Sequence, residues 1–281
     1  MSLVNFGITY YCIRAFEILR KEGPVALFKA FIEFILNPLD PGHYRRFKLH
    51  TWINHLQNRI RYDAPPNPYK TISIRPREIE YRLSKDDKDD WLIAPPEYRG
   101  IGRIVGGDWD KTRYRMRVDE RPVIAGIRER FVEGKDWKET QYYDWLRKRS
   151  GSEKKYQSRG FDSLEDYCQE RFKEYERLYE EIKNDGYVEN HQGTRRNPGG
   201  GSYPVRDALE VIVCIDRNGN IYLTDGHHRF AIARILDLEI PAHVICRHNQ
   251  WQEFRDEVYH NGLSKEQREL RDHPDLQDII D

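Results

Sequence analysis

The alternation of apolar and polar residues is clearest in residues 211–247. A short β-branched run, Val211-Ile212-Val213-Cys214-Ile215, precedes Asp216-Arg217-Asn218-Gly219-Asn220, which has the residues that a tight hairpin needs. A second apolar run covers residues 221–223, helical spacing follows over residues 230–236, and residues 240–246 have the pattern of another strand. The pattern therefore predicts strand, hairpin, strand, helix and strand.

A polar corner interrupts this pattern where the helix is predicted to begin. Its sequence is Asp225-Gly226-His227-His228-Arg229. The first backbone N–H groups of a helix have no partner within the helix, and the helix dipole adds positive charge there. Together with the histidines and the arginine, they predict a binding site for a phosphate. The alternative is that Asp225 is a helix N-cap and the histidines are solvated turn residues.

Residues 211–248 resemble the ParB/sulfiredoxin superfamily, whose members hold nucleotide phosphates with Gly-x-His-Arg or Gly-Glu-Arg-Arg at this corner. The upstream segment Thr71-Ile72-Ser73-Ile74-Arg75-Pro76-Arg77-Glu78-Ile79 is similar to the strand and turn that open that domain. The resemblance covers residues 69–84 and 210–248, and only the corner is specific. It implies an α+β fold with a small mixed sheet and helices, and the pattern of the remaining sequence adds a large helical insertion and an N-terminal helical region.

Within the superfamily, the corner is closest to the free serine kinases, which are similar at Asp-Gly-His-x-Arg. The resemblance implies a nucleotide (ATP, ADP or CTP) and a small substrate with a hydroxyl group. Sulfiredoxin has its catalytic cysteine where this chain has His227, which argues against thiol repair. The kinases carry a catalytic glutamate just after the opening strand, and Glu78 and Glu80 are the candidates by proximity.

Other charged residues extend the predicted site. Asp108 and Asp110 follow a Gly-Gly turn, and paired carboxylates near a phosphate site could hold Mg²⁺. The alternative is a turn in which Asp108 is a cap and Trp109 a core anchor. The further candidates for phosphate contact are Arg103, Arg195, Arg196 and His248.

Arg195 and Arg196 lie in the glycine-rich segment 194–202, which is either a mobile lid or a plain linker. His248 ends the strand that follows the corner helix. Because one short helix joins the corner to this strand, Arg247 or His248 is expected to approach the same pocket.

Three regions are predicted. Residues 1–67 form an N-terminal helical region, in which the apolar residues 3–36 pack on the body of the protein, form a homo-oligomer interface or lie in a membrane surface. Residues 44–62 form a basic and aromatic helix, expected to be solvated with its aromatic residues turned inward; the alternatives are contact with nucleic acid or anionic lipid.

The second region, residues 68–250, is the ParB/sulfiredoxin-like domain with a mainly helical insertion at 99–206. The insertion holds predicted helices at 121–131, 137–149 and 163–183. The third region, residues 251–281, is a charged tail, expected to be frayed or a surface helix over 264–281.

Composition limits the classes of function. The chain has 281 residues, of which 47 are Lys or Arg and 47 are Asp or Glu, so its overall charge does not favour polyanions. The four cysteines show no CxxC spacing, which favours reduced thiols and a cytoplasmic protein, with peripheral membrane association as the alternative.

These observations predict a nucleotide-dependent phosphotransferase. The corner would hold the phosphates, Asp108 or Asp110 would hold Mg²⁺, and a carboxylate would activate a hydroxyl group. The alternatives are a ParB-like switch protein gated by a nucleotide, and a nuclease acting on DNA.

Overall fold

The structure is a computed structural model of the chain, and it describes residues 16, 19–20, 23–25, 27, 43–83, 99–111, 115–149, 161–189 and 209–280. The chain divides into two compact units, Met1–Arg46 and Phe47–Asp281. Almost all of the predicted apolar segment 3–36 lies outside the described residues. The second unit contains the sheet and the candidate site.

Along the described part of the second unit, a helix that begins just before the unit is followed by four short strands and three helices, and a strand hairpin, a helix, a strand and a last helix complete the order. From residue 43 onward, the described helices are α1 (His43–Arg61), α2 (Pro122–Phe131), α3 (Gln141–Arg149), α4 (Leu164–Asp185), α5 (His227–Leu236) and α6 (Asn249–Asn261). The strands are β1 (Ile72–Ile74), β2 (Tyr81–Leu83), β3 (Arg103–Val105), β4 (Arg115–Arg117), β5 (Val211–Ile215), β6 (Ile221–Asp225) and β7 (Ile240–His248). Short 3-10 helices lie at Pro76–Glu78, Val118–Glu120, Trp137–Glu139 and Arg268–Leu270.

The seven strands form one mixed sheet in the order β1-β7-β5-β6-β2-β4, and β3 pairs with the second half of β7. The central strand β5 is parallel to β7 and antiparallel to β6, and β6 is parallel to β2. All five residues of β5 are buried, as expected for a strand that is covered on both faces. The predicted α+β class is confirmed.

The β5–β6 hairpin forms where the sequence predicted it. The Asp216 carboxylate accepts hydrogen bonds from the backbone N–H groups of Asn218 and Asn220, both at 2.8 Å. Gly219 has φ 88°, a left-handed conformation that glycine adopts without strain. The side chain of Asp216 therefore closes the turn that joins the two strands.

The three helices predicted in the insertion are all present as α2, α3 and α4. Ser163 caps α4 by accepting a hydrogen bond from the backbone N–H of Asp166 at 3.1 Å, and Gly186 ends the helix with φ 78°. The described part of the insertion also contains two short strands, β3 and β4, which join the main sheet.

Helix α1 belongs mostly to the sheet unit, although the sequence suggested a boundary at residue 67. Thr51 accepts a hydrogen bond from the backbone N–H of Ile101, and Asn58 donates one to the carbonyl of Gly102 at 2.8 Å. These contacts attach α1 to the segment that leads into β3. Within the described part of the chain, no helix is both long enough and apolar enough to cross a bilayer.

The expectation of a frayed tail or a surface helix for residues 264–281 is wrong for the described residues up to 280. Leu276 is fully buried in the core, and Asp275 is 2% exposed. Asp275 accepts hydrogen bonds from Arg247 of β7 and from the indole N–H of Trp251 in α6. A buried carboxylate with basic partners therefore holds the tail against the body, which a local count of charged residues cannot reveal.

Candidate functional site

The polar corner lies between the end of β6 and the start of α5. Gly226 has φ 80°, and a Cβ atom added there would lie 2.9 Å from the Cα atom of Val211. Glycine is therefore required both by the backbone conformation and by the packing against β5. The Asp225 carboxylate accepts a hydrogen bond from the Gly226 N–H at 2.8 Å, which fixes the turn into the helix.

His228 is turned towards the interior and not towards a ligand as the sequence suggested. Its Nε2 atom forms a 2.7 Å hydrogen bond with the Tyr175 hydroxyl group, and the two rings stack with centroids 4.5 Å apart. Burial lowers the pKa of His228 well below its ordinary value, and the charges of Arg171, His227, Arg229 and Arg121 lower it further. His228 is therefore neutral at physiological pH and does not supply the positive charge predicted for it.

Arg229 is held by protein groups. Its guanidinium donates to the Glu210 carboxylate at 2.8 Å and to the Leu209 carbonyl at 2.9 Å. The side chain of Arg229 is 17% exposed and that of Glu210 is 6% exposed. This ion pair joins the start of α5 to the start of β5, so Arg229 has a structural role in addition to any role in binding.

Basic residues from separate segments converge on this corner. Arg171 of α4, Arg121 just before α2 and Arg229 of α5 are all close enough to lower the pKa of His228 electrostatically. The guanidinium of Arg171 donates to the hydroxyl groups of Tyr142 and Tyr167, both at 2.7 Å, and its Nη2 atom lies 3.4 Å from His228 Nε2. Three basic side chains therefore lie around the start of α5, and one of them, Arg229, is paired with Glu210.

The contribution of α4 to this corner is not evident from the pattern of the sequence. Tyr167, Arg171 and Tyr175 are spaced by four residues, so they lie along one face of the helix. The available signal was an arginine between two tyrosines, on a face of the helix that was otherwise expected to be apolar. The partner of that face, His228, could not be identified without the tertiary structure.

Asp108 and Asp110 lie at the other end of the β5–β6 hairpin, near its turn. Asp110 is 1% exposed, and the Arg217 guanidinium donates to its two carboxylate oxygens at 2.7 and 2.6 Å. Asp108 is exposed and pairs with Lys111 at 2.7 Å. Since β5 has five residues, its two ends are roughly 13 Å apart at about 3.3 Å per residue, so these carboxylates are separated from the corner.

The ion pair with Arg217 occupies the carboxylate that was predicted to bind Mg²⁺. Burial opposes ionisation of Asp110, but hydrogen bonds from Arg217 outweigh burial, and the pKa of Asp110 is lowered. Within the described ranges, no group of three or more His, Cys, Asp or Glu side chains is arranged to hold a metal ion. The geometry thus separates the predicted metal ligands from the predicted phosphate site.

We expect Asp110→Asn to lower the free energy of unfolding by about 1–3 kcal/mol, because it weakens charge-assisted hydrogen bonds in a buried position. Urea denaturation measures this change. Asp108→Asn is the matched control, since Asp108 is exposed and its replacement should change stability little. Equal stabilities of the two variants would contradict the structural role of Asp110.

Arg103 and His248 also lie away from the corner. In the pairing of β3 with β7, Arg103 lies opposite Cys246 and Val105 lies opposite His248. Cys246 and His248 belong to the second half of β7. His248 Nε2 is 2.9 Å from the Gly107 carbonyl oxygen, while its Nδ1 atom accepts a hydrogen bond from the backbone N–H of Gln250. His248 therefore caps α6, whereas the corner adjoins the beginning of β7.

Glu78 and Glu80 follow β1 near the C-terminal end of α5. Arg234, in the last turn of α5, donates to the carbonyl groups of Arg77 and Ile79, which flank Glu78. Since α5 has ten residues, its two ends are roughly 15 Å apart. Neither glutamate is therefore placed beside the start of α5.

Glu78 lines a cavity of about 930 Å³ that includes none of the corner residues. The cavity lies between β1 and the C-terminal segment, with Glu239, Arg247 and His273 among its walls. The cavity is thus separate from the phosphate site that the sequence predicted. Arg195 and Arg196, with the rest of the segment 194–202, lie outside the described residues.

Comparison of the chain with protein families, with curated proteins and with solved structures found no match. Function is therefore inferred from the geometry of the site.

Proposed function

We propose that this protein binds the phosphate groups of a nucleotide at the start of α5 and acts as a nucleotide-gated binding protein. The observation that supports this proposal is the convergence of Arg121, Arg171 and Arg229 on the corner. Three basic side chains from separate elements, placed beside the N-terminus of a ten-residue helix, favour an anion. The resemblance of the corner to the ParB/sulfiredoxin superfamily agrees with a nucleotide.

The positions of the candidate carboxylates favour binding over phosphotransfer. A phosphotransferase brings its metal ligands and its base to the same phosphate. Asp110 is paired with Arg217 at the opposite end of the hairpin, and Glu78 and Glu80 lie near the far end of α5. Of the functions considered from the sequence, a protein gated by nucleotide binding needs only the basic corner.

The gate would act through the contacts that now hold the corner together. Arg229 joins α5 to Glu210, and His228 joins α5 to Tyr175 of α4. A bound phosphate would compete with Glu210 for Arg229, because both are anions that accept from a guanidinium. Binding would therefore change the packing of α5 against the segment before β5.

A thermal-shift experiment with ATP, ADP, CTP and inorganic pyrophosphate tests the proposal. The double variant Arg121→Gln/His227→Gln removes basic groups at partly buried positions and is expected to weaken binding at least tenfold, or about 1.4 kcal/mol. For the wild-type chain, a ligand present at about 100 times its dissociation constant should stabilise the fold by about 2.7 kcal/mol.

Arg128→Gln is the matched control, since it removes an equal charge from the exposed face of α2, where Arg128 pairs with Glu133. The control should retain the stabilisation by nucleotide. Stabilisation that is lost equally in both variants would mean that only net charge matters, and stabilisation that is kept in both would exclude the corner as the site.

A further inference from the structure

Helix α1 carries an apolar stripe on its exposed side. Trp52 is 52% exposed, Leu56 is 38% exposed and Ile60 is 85% exposed. Residues four apart lie about 40° from one another around a helix, so these three side chains form one continuous stripe. The aromatic residues of this helix were expected to turn inward, and the structure contradicts that expectation for Trp52.

The buried side of α1 lies opposite this stripe. Phe47 is 7% exposed, Thr51 is fully buried and Asn58 is 6% exposed. Thr51 and Asn58 form the hydrogen bonds that attach α1 to residues 101 and 102. The helix is thus held to the body by one side, and its apolar stripe is not needed for that attachment.

The charge of α1 is of one sign. Its sequence, His43–Arg61, contains no Asp or Glu, whereas its basic residues are Arg45, Arg46, Lys48, Arg59 and Arg61. Lys48 lies one turn before Trp52 on the same side of the helix, Arg59 adjoins Ile60, and both are exposed. Because the whole chain has equal numbers of acidic and basic residues, this helix is a local concentration of positive charge.

We propose that the exposed side of α1 docks onto an anionic lipid surface. Trp52, Leu56 and Ile60 would enter the boundary between headgroups and acyl chains, and Lys48 and Arg59 would lie among the anionic headgroups. Tryptophan is favoured at this depth because its ring is apolar and its N–H group remains available to water. The helix would lie along the surface of the bilayer.

The stripe distinguishes lipid from nucleic acid as the partner. Lys48 and Arg59 alone would suit either polyanion, since both present phosphate groups. Leu56 and Ile60, however, gain nothing from a phosphate backbone and lose their exposure to water in a membrane interface. The combination of three exposed apolar residues with basic neighbours therefore favours the lipid surface.

Flotation of the full chain with vesicles tests this proposal. We expect binding to vesicles that contain phosphatidylserine and much weaker binding to phosphatidylcholine alone. Trp52→Ser/Ile60→Ser should reduce the partition coefficient at least about tenfold, because two apolar side chains no longer enter the interface. Val132→Ser is the control, since Val132 is 62% exposed at the C-terminal end of α2, away from α1, and it should bind as the wild type does.

Arg59→Glu should reduce binding to the anionic vesicles and leave the thermal stability unchanged, because Arg59 is exposed. Tryptophan fluorescence gives a second measure: brominated lipid should quench the wild type and quench Trp52→Phe much less. Three results would overturn the proposal: no binding to anionic vesicles, binding that the Trp52→Ser/Ile60→Ser change leaves intact, or binding to DNA or RNA in place of vesicles.

Discussion

Replacing Asp275 with alanine should lower the free energy of unfolding by about 3–5 kcal/mol, because it leaves the buried Arg247 guanidinium without its carboxylate and removes one of the two carboxylates that pair with the buried Arg255. The side chains of Arg247 and Arg255 are 5% and 0% exposed, and both pair with Asp275. Burial opposes ionisation of Asp275, but the two arginines outweigh it, and the pKa of Asp275 is lowered. The carboxylate is therefore charged in the folded protein and holds the C-terminal segment to β7 and α6.

Urea denaturation of Asp275→Ala and Asp272→Ala measures this effect with a matched control. Asp272 is an exposed aspartate three residues earlier in the same segment. Its replacement should change stability little, since exposed charges contribute little to folding. If both variants were as stable as the wild type, the segment would be a frayed tail as its composition suggested, and the buried network would not form.

Local patterns in the sequence predicted the centre of the fold well. The β-branched run of β5, the hairpin residues from Asp216 to Asn220 and the helical spacing of α5 each depend on neighbours in the chain. Periodicity and turn chemistry act over a few residues, so they can be read without the tertiary structure. The same is true of the Ser163 cap and the Gly186 terminator of α4.

Which residues lie at the candidate site depends on the register of the strands in the sheet, and local sequence patterns do not determine that register. Asp110 was expected near the phosphate corner, but β3 pairs with the second half of β7 and delivers Asp110 to the turn of the hairpin. If β3 paired with the beginning of β7, Asp110 would lie near the corner instead. The separation of 107 residues between Asp110 and Arg217 means that no local signal connects them.

The sequence also could not show which basic residues face a ligand and which support the fold. His227, His228 and Arg229 are consecutive, yet His228 stacks on Tyr175 and Arg229 pairs with Glu210. Consecutive residues in the first turn of a helix point in different directions, about 100° apart. The role of each therefore depends on the elements that pack around α5.

The second large effect expected is a loss of stability in mild acid, caused by buried histidines. Burial lowers the pKa of His243 to about 4 and lowers that of His228 well below its ordinary value of 6.5. Below pH 6.5 the unfolded chain binds protons at these positions and the folded chain does not. The contribution of each residue to stability is thus complete above about pH 6.5 and falls by about 1.4 kcal/mol per pH unit as the pH drops towards the folded pKa.

Between pH 7.5 and pH 5 the protonation of His243 in the unfolded chain should lower the free energy of unfolding by about 2 kcal/mol, and His228 should act in the same direction. Most carboxylates titrate below this range, so the histidines dominate the pH dependence of stability within it.

Urea denaturation at several pH values should show a shallower pH dependence of the free energy of unfolding for His243→Gln and for His228→Gln than for the wild type. His260→Gln is the control, because the side chain of His260 is 54% exposed, and it should keep the wild-type slope. A slope that is the same in all four proteins would mean that His228 and His243 are accessible to protons in the folded state, and the stacked arrangement of His228 on Tyr175 would then be incorrect.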